Sequence, residues 1–344
     1  MKKSVLFVVA VLVIMTVLIT ACTPKPTAVP TTAAQEIPEG CVAPQMTTKD
    51  GKPLSEVTIG LSEGAVDGVW RVKQVEWTKE GVEACGAKFI TTDGQGNGAK
   101  NLSDIEDLVA QQVDLIIVST YFADEIVPGI QLANSKGIPV VVLSSDLGQG
   151  AAYETFITAD NLDIAHDAAN WVLEKYGSQD KIDIVELIGR EGSVAAKMRT
   201  EGFHEILDSN PKTNWIMNVT AHYKRDEAVR VMEDVLKANP DPGSIDVVYA
   251  ANDEMALGAV LALKEAGRLD EVAVMGIDGI LCEVYDAIKA GEMAVSFYYP
   301  NFAPEGVEAA FKILAGQTVE KNVIVASTPI TKDNVDEWYP KCAK

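Results

Sequence analysis

One pattern recurs along most of this chain: a short apolar run, a polar or glycine-rich loop, then a stretch with helical spacing of apolar residues. Val57-Thr58-Ile59-Gly60-Leu61 opens it, and helical spacing over residues 70–84 follows. Lys88-Phe89-Ile90-Thr91, Leu115-Ile116-Ile117-Val118 and Val140-Val141-Val142-Leu143 read as further strands, separated by helices over 102–112 and 126–136. The alternation resumes with strands over 182–187, 215–219, 247–250 and 272–276 and helices over 195–207, 228–236, 255–266 and 283–289. Apolar runs without polar alternation indicate strands covered on both faces, hence parallel sheets under helices. Strand–helix–strand order implies right-handed βαβ units. The strands are too many for one comfortable sheet, so two doubly wound α/β lobes are expected. In such sheets ligands bind beyond the carboxyl ends of the strands. Two facing sheets would put those ends on one shared cleft.

The N-terminus breaks the pattern. Lys2 and Lys3 precede an apolar run over 5–19, too short and too N-terminal for a membrane span, and Thr20-Ala21-Cys22 puts small residues before a cysteine. The stretch resembles a lipoprotein signal, in which residues 1–21 are removed and Cys22 takes a diacylglycerol; an uncleaved helical anchor is the alternative. Residues 23–38 are rich in Pro, Thr and Ala without an apolar period. Residues 22–54 are therefore expected to form an extended tether, with the ordered domain starting near Val57. The expected location is the extracytoplasmic side of the cell membrane, at the cell surface or in the periplasm.

A net charge of −21 with no basic stripe argues against nucleic acid. It also argues against a peripheral grip on anionic lipid, which leaves the acyl anchor to hold the protein there. No C-x-x-C exists and the three histidines are scattered, so no metal or other cofactor is expected. Cys85 reads as a buried small hydrophobe. Cys41 and Cys342 flank the folded region and are candidates to pair in an oxidising compartment.

Enzyme motifs are weak. Gly60-Leu61-Ser62-Glu63-Gly64 matches a nucleophile elbow, but Gly64, Asp67 and Gly68 prolong the loop where a helix should start. Gly94-Gln95-Gly96-Asn97-Gly98 lacks the dinucleotide spacing and reads as a flexible loop. Asn252-Asp253-Glu254 before an apolar helix reads as an N-cap with acids favoured by the dipole. Strand ends supply a different chemistry: Asp67, Trp70, Arg71, Asp146, Arg199, Tyr223, Asn252, Asp278 and Tyr298. Planar polar groups grip adjacent hydroxyls with paired hydrogen bonds. Flat aromatic faces cover the C–H faces of a sugar ring.

Residues 251–259 (ANDEMALGA), 275–279 (MGIDG), 199–203 (RTEGF) and 158–161 (TADN) closely resemble the type I periplasmic sugar-binding proteins. By pattern the ribose- and galactofuranose-binding proteins of ABC importers are nearest, and Val69-Trp70-Arg71 is closer to the galactofuranose group. The resemblance implies that Trp70 stacks on the sugar and Arg71 donates to it, with Asp67 as a polar neighbour. It implies Asp146 after the fourth strand, and Arg199 on ring and anomeric oxygens. Tyr223 would stack on the opposite face, Asn252 and Asp278 would serve the second lobe, and Tyr298 would lie near the hinge. Leu147 stands where the family often has arginine after this aspartate, removing one cationic donor. The layout implied is one lobe over 55–159 plus 299–326 and another over 160–298 plus 327–344, joined by three hinge segments. The expected function is capture of a monosaccharide by a monomer and its delivery to an ABC-transporter permease, without enzymatic activity. Docking to a membrane chemoreceptor or sensor, and an exported carbohydrate-active hydrolase, remain the alternatives. A repressor-type regulator shares the two-lobed core but needs an N-terminal helix-turn-helix, where this chain has a signal and tether.

Overall fold

A computed structural model describes Cys41 and residues 46–343. The expected signal and Cys22 lie outside the described residues. The ordered region starts earlier than Val57. Lys49 N–H bonds to the Leu314 carbonyl at 2.9 Å, and Lys52 pairs with Asp114 at 2.6 Å. Residues 46–54, assigned above to the tether, therefore already pack on the domain.

The first sheet is built from β1 (Thr58–Glu63), β2 (Lys88–Asp93), β3 (Leu115–Ser119), β4 (Val140–Leu143) and β5 (Thr155–Thr158), with α1 (Val69–Ala84), α2 (Gly98–Ala110) and α3 (Val127–Ser135) between them. After α4 (Asn161–Tyr176) the second sheet takes β6 (Ile182–Ile188), β7 (Thr213–Thr220), β8 (Val247–Ala250), β9 (Ala273–Asp278) and β10 (Val295–Tyr298). Their connecting helices are α5 (Val194–Leu207), α6 (Arg225–Ala238), α7 (Asp253–Glu265) and α8 (Cys282–Ala290). The chain then returns to the first sheet with α9 (Ala303–Leu314) and β11 (Asn322–Ile324), and ends on the second with β12 (Pro329–Ile330) and α10 (Val335–Trp338).

The sheet orders are β11-β5-β4-β3-β1-β2 and β12-β10-β9-β8-β6-β7. All pairings are parallel except β10 with β12. The two sheets thus repeat one winding, reversing direction between β1 and β3 and again between β6 and β8. Those reversals are where a doubly wound sheet opens a crevice. β3 and β4 are buried along their whole length, as strands covered by helices on both faces must be. The edge strands β2 and β7 are half exposed. Among the described residues no helix is long and apolar enough to cross a membrane.

The expected Cys41–Cys342 bond is not formed. Cys41 pairs with Cys85, and Cys282 with Cys342, with Cα separations of 4.4 and 4.9 Å. Cys85 is therefore a disulfide cysteine at the C-terminal cap of α1, not a free hydrophobe. Each bond staples one end of the chain to its own half. Ala343 is held beside Cys282 by a backbone bond of 3.0 Å to its carbonyl, on the half opposite to Cys85. The closed loops span 44 and 60 residues, for which chain entropy alone gives about 4 kcal/mol each.

Candidate functional site

Between the carboxyl ends of the two sheets lies a cleft lined by Asp67, Trp70, Arg71, Tyr121, Ser144, Ser145, Ser193, Arg199, Tyr223, Asn252, Asp278 and Tyr299, among others. The free volume inside it is only about 60 Å³, so the halves lie close together. A roomier groove of about 1130 Å³ lies among Thr48, Asp114, Pro139 and Leu314, at the opposite ends of the strands. Strand topology favours the narrow cleft, because carboxyl ends and the loops that follow them converge only there.

Four aromatic rings shape the cleft. Trp70, at the start of α1, is anchored by its indole N–H to the Tyr299 carbonyl at 3.1 Å, and its ring lies 5.7 Å from that of Tyr299. Tyr121, from the loop after β3, stacks on Tyr223 across the cleft at 6.2 Å with planes 17° apart. Tyr223 enters because residue 189 is glycine. A Cβ there would collide with the tyrosine ring. The Tyr223 hydroxyl lies 3.3 Å from that of Ser193, the N-cap of α5.

Two buried arginines face the cleft from opposite halves. Arg71 bonds the Glu63 carboxylate at 2.8 Å and the Ser119 hydroxyl, and its guanidinium carbon sits 4.4 Å from the Tyr121 ring centre. Burial pushes the Glu63 carboxyl up to about 7, against the pull of Arg71. Burial is the strongest influence on Arg71 and opposes its charge, but Glu63 and Tyr121 together overcome it and the guanidinium is held more firmly protonated than usual. Arg199 donates instead to uncharged acceptors, the Asn161 amide oxygen at 2.9 Å and the Ala251 carbonyl at 2.5 Å. Its guanidinium carbon lies 4.6 Å from the Tyr299 ring centre. Asp278 completes this side. Burial, then the nearby Asp253, raise its carboxyl well above the ordinary range, while Arg199 opposes. Asn252 caps α7 through the Met255 N–H at 3.0 Å and donates to the Tyr223 carbonyl at 3.4 Å. Its N-cap role and its place on the cleft wall coexist.

Asp67 is exposed at the mouth and pairs with Arg190 from the loop after β6, so one ion pair spans the two halves. Arg190 was not among the expected site residues, nor were Tyr121, Ser144, Ser145, Ser193 and Tyr299. Two expected residues are absent from the lining. Asp146 is exposed and accepts from the Tyr153 hydroxyl at 3.0 Å and from the Leu147 N–H at 2.8 Å, leaving Ser144 and Ser145 to line the cleft. Tyr298 is 2% exposed and packs against Trp338 with ring centres 4.7 Å apart, while its neighbour Tyr299 faces the cleft. Successive strand residues point to opposite faces, so one position decides the matter. Ser62 is fully buried in β1 and accepts from the Asn101 amide at 2.8 Å. Asn97, in the glycine-rich loop, caps α2 through the Lys100 N–H at 2.9 Å. Among the described residues no group of His, Cys, Asp and Glu is placed to hold a metal ion.

The chain is 32% identical over 272 residues to the ribose import binding protein of Bacillus subtilis, covering 78% of this chain and 85% of that one. It is 30% identical over 291 residues to the galactofuranose-binding protein of Escherichia coli K12, covering 83% and 91%. A solved structure from Mycobacterium smegmatis in complex with β-D-fucofuranose superposes with a TM-score of 0.77 at 28% identity, over 83% of this chain and 94% of that chain. The family described as periplasmic binding protein domain matches residues 59–318. With most of its folded length matched, this chain belongs to the periplasmic binding protein domain family, a family of binding proteins rather than enzymes.

Proposed function

We propose that this chain captures a monosaccharide between its two halves and delivers it to an ABC-transporter permease on the extracytoplasmic side of a membrane. The observation that carries this reading is the placement of Arg199 and Asp278 together on the wall of a cleft bounded by Trp70, Tyr121, Tyr223 and Tyr299. A neutral polyol suits that set. Its hydroxyls donate to the carboxylate and accept from the guanidinium, so no net charge is buried. The rings offer flat apolar faces to the sugar's C–H groups. Ribose, galactofuranose and fucofuranose appear in the names of the relatives above, which supports pentoses and furanoses as the first ligands to try. The ligand residues in this reading are Trp70, Arg199, Tyr223, Asn252 and Asp278, joined by Tyr121 and Tyr299. Asp67 acts through its ion pair with Arg190, and Arg71 shapes the wall more than it grips the sugar. The lipid anchor at Cys22 rests on the sequence alone and belongs to the same proposal. Cys22→Ser should release the protein from membranes.

A thermal-shift screen over pentoses, hexoses, furanoses and polyols tests the function. At ligand about a hundredfold above Kd, binding to the folded state alone adds about 2.7 kcal/mol of stability. A clear rise in Tm with at least one furanose or pentose is expected, and a flat response to all of them would contradict the reading.

A further inference from the structure

Asp253 does not line the cleft, yet it is fully buried directly behind it. It opens α7, and one of its oxygens accepts from the Gly279 N–H at 2.7 Å while the other accepts from the Ser296 hydroxyl at 2.7 Å. Residue 276 of β9 is glycine, and a Cβ there would collide with the Asp253 carboxylate. Sequence and packing therefore reserve a slot for this acid. The residue it braces is unusual. Asp278 has a φ of 138°, a region that non-glycine residues rarely adopt, and Gly279 follows with a φ of 61°. Such a conformation costs free energy and persists only when its surroundings over-determine it. The surroundings do: the Tyr285 hydroxyl donates to the Gly279 carbonyl at 2.6 Å, and the Tyr299 N–H donates to the Asp278 carbonyl at 2.8 Å.

We propose that Asp253 is the positioning residue of the ligand carboxylate Asp278. It clamps the turn that aims Asp278 into the cleft, and it sets the pH range in which Asp278 is ionised. The effect on sugar affinity rests on the sugar-binding reading, whereas the titration of Asp278 needs no ligand. Three charged groups act on Asp278: Asp253 and Glu254 from α7, and Arg199 from α5. Tyr285 from α8 faces Asp253. The two acids on α7 favour the neutral form of Asp278 and Arg199 favours the ionised form. An ionised Asp278 accepts hydroxyl hydrogen bonds on both oxygens, so sugar affinity should fall as pH drops through its midpoint.

Asp253→Asn separates charge from geometry. The amide oxygen still accepts from Gly279 N–H, and the amide nitrogen donates to Ser296 Oγ. The ligand-free protein, labelled with ¹³C at aspartate carboxyls, is titrated by NMR, with Asp278→Asn assigning the resonance. The Asp278 midpoint should drop by roughly one pH unit or more in Asp253→Asn, as expected for directly interacting acids. Hydrogen exchange of the Gly279 amide reads the clamp. Asp253→Ala should speed it at least about tenfold, because the amide loses the carboxylate oxygen that accepts from it. An unmoved Asp278 midpoint in Asp253→Asn would overturn the proposal, and that variant decides even if Asp253→Ala does not fold. Sugar titration of Asp278→Ala tests the binding reading separately, so failure of one is not mistaken for failure of the other.

Discussion

Arg71 and Arg199 stand at matching places in the two halves, each on the helix after the first strand of its winding, and each is almost wholly buried. Their partners differ. Arg71 spends its charge inside its own half, on the Glu63 carboxylate and the Ser119 hydroxyl. Among the described residues Arg199 bonds to a side-chain amide and a backbone carbonyl, and the acid Asp278 shares the cleft wall with it. A buried ion pair mostly repays its own desolvation. A buried cation held by neutral dipoles keeps its field for whatever enters the site. The same fold element thus serves as a strut in one half and as a grip in the other.

That contrast breaks most visibly in stability. Arg71→Ala strips the partner from a fully buried Glu63, a change that typically costs about 3–5 kcal/mol. Chemical denaturation should show a loss of that order, and a loss under about 1 kcal/mol would remove Arg71 from its role as a strut. The Glu63 carboxyl sharpens the comparison through pH. Its folded value near 7 lies above its ordinary value. The folded state therefore holds a proton that the unfolded chain has released, and stability falls as pH rises from about 4.5 to about 7. Glu63→Gln should flatten that slope in a pH series of melting curves.

The bridge between the halves should matter less. Asp67 and Arg190 are partly exposed, so their ion pair is worth at most about 1 kcal/mol. Asp67→Asn should weaken sugar binding by only a few fold and should reduce the salt dependence of affinity. The smallest effect lies outside the cleft. His204, on α5, is held at 2.9 Å from Glu186 and 3.0 Å from Asp208 and stacks on Trp215. The bond to Glu186, more than the charge of Asp208, raises its protonation midpoint. Its contribution is fully present below about 6.5 and is lost as pH rises through the higher folded value. His204→Asn should remove that loss and leave the Glu63 slope intact, which separates two titrations of the same sign.

The sequence told the fold where strands are buried on both faces. Runs such as Ile116–Val118 and Val140–Leu143 carry no polar alternation and can only be interior. The edge strands β11 and β12 carry three and two residues, too few to show a period. Helix α4 escaped notice because much of its buried face is Ala165, Ala168 and Ala169, which carry little hydrophobic signal. At the site, residues at or just past strand ends were readable by position, as Asn252 and Asp278 show by lining the cleft. Tyr121 offered the same signal, an aromatic just past the end of β3, and was passed over. Tyr298 against Tyr299 turned on strand alternation at a single residue. The disulfides turned on distance, which spacing along the chain does not encode. Asp253 read as a helix-end acid from sequence; its burial behind the cleft is a property of packing alone.

The central claim is that the charge serving the sugar resides on Arg199. Calorimetric titration of Arg199→Ala with the sugar giving the largest thermal shift tests it most directly. Loss of a charged hydrogen-bond donor in a closed site costs about 1–3 kcal/mol, so affinity should fall roughly tenfold to a hundredfold, with the ligand-free melting temperature close to that of the parent. Unchanged affinity in Arg199→Ala would contradict the account.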